Sequence, residues 1–531
     1  MRKNSFFVLI YFLLVPLFSF SQSQTDSTWE KNLSEVVVKA TRANAKTAMA
    51  YTEMGKKEIN KLNLGQDLPF LLNQMPSVVT TSDAGAGVGY TGIRIRGSDP
   101  TRINVTLNGI PYNDSESQGV YWVNMPDFAS SVQSVQVQRG VGTSTNGAGA
   151  FGASINVNTL QLNREPFAEI NTSFGSFNTF KNNIISSTGL INNKFVLDAR
   201  LSKIVSDGFV DRASSNLKSY YVSGGYYLKN SFVRLNVFGG HEKTYQSWNG
   251  IPETLAKNDQ KGIDEFVSRN FYDETFKNEM LKSGRKFNFY TYENEVDDYT
   301  QNHIQLISSF KISKNWRFNP TLHYTAGKGF FEQFKYDEDF ADYKLSPVQV
   351  GDQSINSTDL IRRKWLDNNF YGAVWSLDYE GSNKIKGNIG GGWNKYDGDH
   401  FGEIIWAQYA GNSQIRDRYY DNVGQKTDFN IYGKLFYNLH SKWDAYLDLQ
   451  LRSVDFSMKG TIDNLSTVNQ NHKNTFFNPK LGLTYQAKPF SSLYLSYARG
   501  AKEPSRQDFI DNDPILPKPE KLDDLEAGWR F

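Results

Sequence analysis

Between positions 443 and 453 the chain changes character at every residue. Trp443, Ala445, Leu447, Leu449, Leu451 and Ser453 carry no charge, whereas Asp444, Tyr446, Asp448, Gln450 and Arg452 offer charges or polar groups. Successive residues of a strand point to opposite sides, so this spacing predicts a strand with one greasy face and one polar face. The same alternation returns at 233–237, 371–380 and 493–498. Alternation sustained over about ten residues marks strands that cross an outer membrane, whereas strands of soluble sandwiches run to about five or six.

The spacing of these strands carries a second rhythm. Tight turns are predicted at 192–194, 229–231, 313–315, 382–384, 440–442 and 488–491. Between them lie long polar stretches at 206–217, 241–298, 329–367, 397–426, 459–474 and 501–521. Short turns on one side of the bilayer and long loops on the other are the habit of bacterial barrels, and long loops commonly carry function. Counting from Phe167 onward predicts about 14 strands.

The N-terminus reads as an export signal. Arg2 and Lys3 precede an apolar run over 6–18 broken only by Pro16, and Ser19 and Ser21 supply small residues for cleavage after position 21. The run is short for a membrane anchor. Aromatic residues make up 14% of the chain, a surplus that suits girdles at two lipid interfaces. There are no cysteines, which excludes a disulfide framework, a thiol nucleophile and a thiolate metal site. A formal charge of +2 gives no electrostatic case for nucleic acid. The six histidines are scattered, so no protein-built metal site is expected, and no cofactor is implied.

Residues 35–160 have a different texture, rich in Gly, Ser, Thr, Val and Asn. A short helix is predicted over 66–75, strands over 93–96, 103–107, 132–139 and 154–158, and a turn at Asn108-Gly109. Gly147, Gly149 and Gly152 satisfy G-x-G-x-x-G. A dinucleotide site needs a helix after those glycines, but Ala153, Ser154, Ile155, Asn156 and Val157 predict a strand.

The order of motifs resembles the TonB-dependent outer-membrane receptors, in which a plug domain sits inside a barrel. The matching stretches are QDLPFLLNQMPSV (66–78), IRIRG (93–97), INVTLNGIP (103–111) and VQSVQVQRGVGTSTNGAGAFGASINVNT (132–159). SLYLSYARGAKEPS (492–505) and LPKPEKLDDLEAGWRF (516–531) look like the family's mid-barrel signature. Asn108 stands where the family commonly has Asp. The resemblance implies a signal peptide at 1–21, an N-terminal segment at 22–38, a plug at 39–160 and barrel at 161–531.

It also implies roles for residues. Leu33, Ser34, Glu35, Val36, Val37 and Val38 match the TonB box, which the inner-membrane TonB complex would grip by strand addition. Arg96, Arg139 and Glu526 match a plug–barrel latch. Ligand would meet the plug apices and outer loops, with Tyr90, Tyr121, Trp122, Tyr245 and Trp248 as candidates. Plugs of this size are held by 22-stranded barrels, and about 14 strands would make a narrow tube. The expected fold class is therefore mostly β: an N-terminal globular plug inside an incomplete transmembrane antiparallel barrel, about 14 of 22 strands. The chain is read as lacking about eight C-terminal strands, leaving an open curved sheet with two edges.

The function implied is TonB-dependent import of a small metal chelate, a ferric siderophore, across the outer membrane, with outer-membrane lipid as the surrounding partner. Cobalamin, haem and oligosaccharide remain open as cargo, and a passive porin or adhesin remains open as a different class. No Ser/His or acid constellation at catalytic spacing points to an enzyme.

Overall fold

The computed structural model describes residues 42–44, 46–146, 151–160, 162–381 and 384–531. The predicted signal peptide at 1–21 and the TonB-box match at 33–38 lie outside the described residues, as do Gly147 and Gly149.

Two sheets dominate, and they invert each other's logic. The smaller is built from β1 (Tyr51–Gly55), β4 (Ile103–Leu107), β5 (Ile110–Pro111), β6 (Ser134–Arg139) and β7 (Ala153–Asn158), in the order β1-β6-β7-β4-β5. β2 (Val78–Ser82) and β3 (Thr91–Ile95) form a separate hairpin. The Asn108-Gly109 turn joins β4 to β5 with both residues at positive φ, 56° and 85°, the conformation that a two-residue hairpin demands. The strand expected after Gly152 is β7, which pairs in parallel with β4. The predicted helix shortens to Leu68–Leu72, with Pro69 in its first turn. Leu71, Leu72, Ile95, Val105, Val135, Val137 and Ile155 fill the interior of this domain, as in any water-soluble globule.

The larger sheet has 14 strands, as the strand count predicts. They are β8 (Phe167–Gly175), β9 (Thr179–Ser187), β10 (Phe195–Ser206), β11 (Ser215–Tyr227), β12 (Phe232–Tyr245), β13 (Val296–Lys311) and β14 (Trp316–Asp339), then β17 (Ser357–Glu380), β18 (Ile385–Ala407), β19 (Arg418–His440), β20 (Trp443–Thr461), β21 (Thr467–Lys488), β22 (Ser491–Lys502) and β23 (Glu520–Arg530). β15 (Val348–Val350) and β16 (Gln353–Ile355) make a small hairpin within one loop. Each strand of the large sheet pairs antiparallel with its neighbours in sequence, and β8 and β23 each have one partner.

In this wall the apolar side chains face out and the charges face in. On β20, Leu449 is 37% and Leu451 52% exposed, while Asp448 is 0% and Arg452 1% exposed. Leu435, Phe429, Phe477, Leu481 and Leu495 are exposed likewise, and Lys181, Arg234 and Asn236 are buried. No water-soluble sheet gains from that arrangement; a sheet facing hydrocarbon does. The buried face holds the small domain. Lys181 on β9, Ser219 on β11, Gln305 on β13, Asp448 on β20, Lys502 on β22 and Glu526 on β23 all hydrogen-bond or ion-pair with it. The sheet therefore curves around the plug.

The long loops are shorter than the sequence pattern predicts. β14, β17, β18 and β19 run for 23 or 24 residues, where a bilayer needs about 9–11. Much of 329–367 and 397–426 is thus strand standing beyond the membrane. No lipid touches those segments, so their side chains need not be apolar, and their strands read as polar loops. The stretch 246–295 remains a true excursion, carrying the helices Gln260–Arg269 and Glu274–Ser283 around a small core of Leu255, Ile263, Val267, Met280 and Phe287.

Candidate ligand site between plug and wall

Two plug loops rise to the end of the wall that carries the long excursions. One spans 83–90 between β2 and β3, and the other runs from Tyr112 to Asn124. Above them opens a cavity of about 600 Å³. Plug residues Asp83, Tyr90, Tyr112, Glu116 and Tyr121 form part of it, and wall residues Asp297, Phe330, Phe331, Trp365 and His400 form the rest. Aromatic rings and charged side chains line it together, so it offers both apolar surface and convergent polar groups to a small molecule.

Three of the five ligand candidates meet here. The rings of Tyr90 and Trp248 stand 5.4 Å apart and those of Tyr90 and Tyr121 6.5 Å apart, both edge to face. Trp248 follows β12 at the start of the long excursion and also packs against Phe331 at 5.5 Å. The other two candidates lie elsewhere. Trp122 begins a 3-10 turn that carries its ring down into the plug core, where it is 3% exposed. Tyr245 ends β12 and donates its hydroxyl to the Tyr292 carbonyl at 2.7 Å, bracing the excursion rather than lining the cavity.

The polar groups of the site come from distant parts of the sequence. Glu116 is buried at the tip of its loop, where it receives the Arg506 guanidinium at 2.8 Å and the Tyr396 hydroxyl at 2.8 Å, with His400 Nε2 at 2.6 Å. Burial pushes its carboxyl up, but His400 and Arg506 outweigh that and hold it at about 2. A Cβ at Gly424 would collide with Glu116, so the bare backbone there lets the loop lie against β19. Lys426 donates to the Ser115 carbonyl at 2.8 Å, and Gln118 donates to the carbonyls of Glu503 and Pro504. The loop after β22 is thereby coupled to the plug tip. Across the cavity Tyr90 donates its hydroxyl to Asp297. Burial, then the neighbouring Asp297 and Glu242 carboxylates, keep that phenol far from ionising. Burial alone lifts Asp83 to about 6.

The latch residues sit at the other end of the plug. Arg96, at a positive φ of 51°, donates to Glu526 on β23 at 2.6 Å. Arg139 instead spends its hydrogen bonds within the plug, on the Pro76 carbonyl at 3.0 Å and the Thr52 hydroxyl at 2.8 Å. Glu526 acts on it only through space, and Arg96 opposes it with like charge. A stronger junction lies on the opposite flank, unmarked by any motif. Asp127 ion-pairs with Lys181 at 2.6 Å and Arg200 at 3.3 Å, and accepts from Asn183 and Ser202.

A plug seated in a curved outer-membrane wall now has a sequence counterpart. Residues 43–154 match the model of the TonB-dependent receptor plug domain, and residues 244–531 match that of the TonB-dependent receptor-like β-barrel. The chain belongs to the TonB-dependent receptors. The receptor is 24% identical over 163 residues to the probable TonB-dependent siderophore receptor PirA of Acinetobacter baumannii, a match covering 28% of this chain and 22% of that relative. Its fold is similar to the closed form of the ferric-catecholate import receptor Fiu of E. coli, with a TM-score of 0.66 at 16% identity, over 96% of this chain and 73% of that one. The siderophore receptor PiuA of Acinetobacter baumannii gives 0.65 at 13% identity, over 92% and 72%. Like the barrels of this family, the receptor is an outer-membrane protein, and its greasy outward face is the surface that meets lipid.

Proposed function

We propose that the receptor imports a ferric siderophore across the outer membrane, driven by TonB. The observation that carries this reading is the cavity lined by Tyr90 and Tyr121 of the plug and Trp248 of the wall, on top of a plug held inside the curved wall. A cargo bound there has the plug between it and the periplasm, so release inward requires the plug to move. An outer membrane has no nucleotide pool to power such a move, and a mechanical pull from the inner membrane supplies it. In this reading Leu33 to Val38 is the grip for TonB, Arg96 and Glu526 are the contact that a pull breaks, and Arg139 belongs to the latch only through its charge, its hydrogen bonds staying within the plug. The division into signal peptide 1–21, TonB segment 22–38, plug 39–160 and barrel 161–531 follows from the same reading. The receptor moves its cargo unchanged and catalyses no reaction on it.

The test is uptake of radioiron-loaded siderophores by cells carrying the full-length gene, with TonB present, with TonB removed, and with residues 33–38 deleted. Uptake only in the first strain is expected. Uptake at equal rates in all three would make the protein a passive pore. Growth on cobalamin, haem or glycan with no iron uptake would move the cargo to that class.

A further inference from the structure

One corner of the cavity gathers two buried carboxyl groups, and no ion pair within the described residues serves either of them. Glu242 on β12 and Asp297 on β13 both turn inward into it, and their strands pair so that Glu242 lies opposite Tyr299 and Thr244 opposite Asp297. Glu242 is 1% exposed, and neither of its carboxylate oxygens accepts a hydrogen bond among the described residues. The Thr244 hydroxyl lies beside it. Asp297 accepts from the Tyr90 hydroxyl. The basic groups of the same cavity are committed elsewhere: Arg506 to Glu116 and Asn422, His400 to Glu116, and Lys364 to Asp463 at 2.6 Å. A buried carboxyl with empty acceptor sites is costly to ionise, and a cation arriving beside it removes much of that cost. The walls of this corner are the faces and edges of Tyr90, Trp248 and Phe331, which favour an organic cation over bulk water.

We infer that the ligand of this receptor presents a cationic donor group, an ammonium or guanidinium, which enters the corner formed by Glu242, Asp297 and Tyr90 and is covered by Trp248. The inference rests on the import reading for the location of the site, and it adds the charge class of the cargo. A ligand that is anionic over its whole surface would face Glu242 and Asp297 with no cation to spare.

The experiment uses the detergent-solubilised full-length receptor and four probes, with affinities read by calorimetry. A linear ferric trihydroxamate ending in a primary ammonium is compared with its N-acetylated derivative, and both are repeated without iron. The ammonium form should bind about tenfold tighter or better, the scale of one charge-assisted hydrogen bond. Glu242→Gln and Asp297→Asn should each shrink that ratio towards one. Equal binding, or tighter binding of the acetylated form, would overturn the inference, as would an unchanged ratio in both folded variants. The comparison on the unaltered receptor stands even if a variant fails to fold. If the iron-free pair shows the same preference and iron adds no affinity, the cationic corner holds and the ferric-chelate reading fails. Absence of binding by all four probes would overturn the inference too.

Discussion

Among the plug's contacts with the wall, the ion pairs on two opposite flanks are unlike. On the β9–β10 flank Asp127 is enclosed by Lys181 and Arg200, all three with side chains no more than 2% exposed. On the β23 flank Arg96 meets Glu526 with side chains 37% and 16% exposed, and Arg102 meets Glu520 at 39% and 41%. Water screens the second set and leaves each pair worth little. The first set is dry, so each charge depends on its partners. Gly240 adds to the difference, since a Cβ there would run into Pro126 and the Asn124 carbonyl beside the Asp127 turn. The plug is thus held firmly at Asp127 and loosely at Arg96 and Arg102.

Removing the firm mooring should have the largest effect. Asp127→Ala strands Lys181 and Arg200 as unpaired buried cations and should cost about 3–5 kcal/mol, read as loss of protease resistance in the plug. Equal resistance in the variant would break the contrast between flanks. The mooring also has a pH signature. Burial pushes the Asp127 carboxyl up, but Arg200 and Lys181 pull it further down, from the ordinary 3.8 to about 2. A depressed value in the folded state means the contribution is complete above about pH 4 and is lost as the pH falls through about 2. Resistance to pepsin should hold steady at about pH 4 and collapse near pH 2.

The two faces of β20 set the next scale. Leu449→Arg should cost about 2–4 kcal/mol for folding into vesicles if Leu449 faces mid-bilayer lipid. The sequence pattern alone treats its neighbour Asp448 as a cheap site for Asn. The structure corrects this, because Asp448 is fully buried, accepts from the Ser144 amide of the plug at 2.9 Å and from the Tyr446 hydroxyl at 2.6 Å, and has Lys480 at 4.0 Å. Asp448→Asn should therefore cost about 1–3 kcal/mol, between the two flanks. The smallest effect belongs to Arg96→Ala, under about 1 kcal/mol in plug retention. A loss as large as that of Asp127→Ala would mean both flanks are anchors.

What the sequence made legible follows from which rules act locally. Alternation on β20 was readable because lipid demands Leu447, Leu449 and Leu451 on one face. The outer halves of β18 and β19 were not, since nothing outside the bilayer dictates the faces of His400 or Asn422. Tyr90, Tyr121 and Trp248 could be singled out as aromatics on apical loops. Trp122, one residue on, could not be separated from Tyr121, because a 3-10 turn rather than strand parity decides which ring points down. Glu116 meets His400 and Arg506 across 284 and 390 residues, and no motif records such a meeting. Glu242 and Asp297 lay inside what read as a polar loop, and only the pairing of β12 with β13 brings them together.

The outward face of the wall lies in hydrocarbon if the receptor spans the outer membrane. The chain has no cysteine, so single cysteines at Leu449, Leu451 and, as an aqueous control, the exposed Tyr336 can carry nitroxide labels in the full-length receptor reconstituted into bilayers. Labels at Leu449 and Leu451 should be relaxed by dissolved oxygen and hardly at all by a water-soluble nickel chelate, with the reverse at Tyr336. Nickel relaxing Leu449 and Leu451 as strongly as Tyr336 would place that face in water and contradict the account.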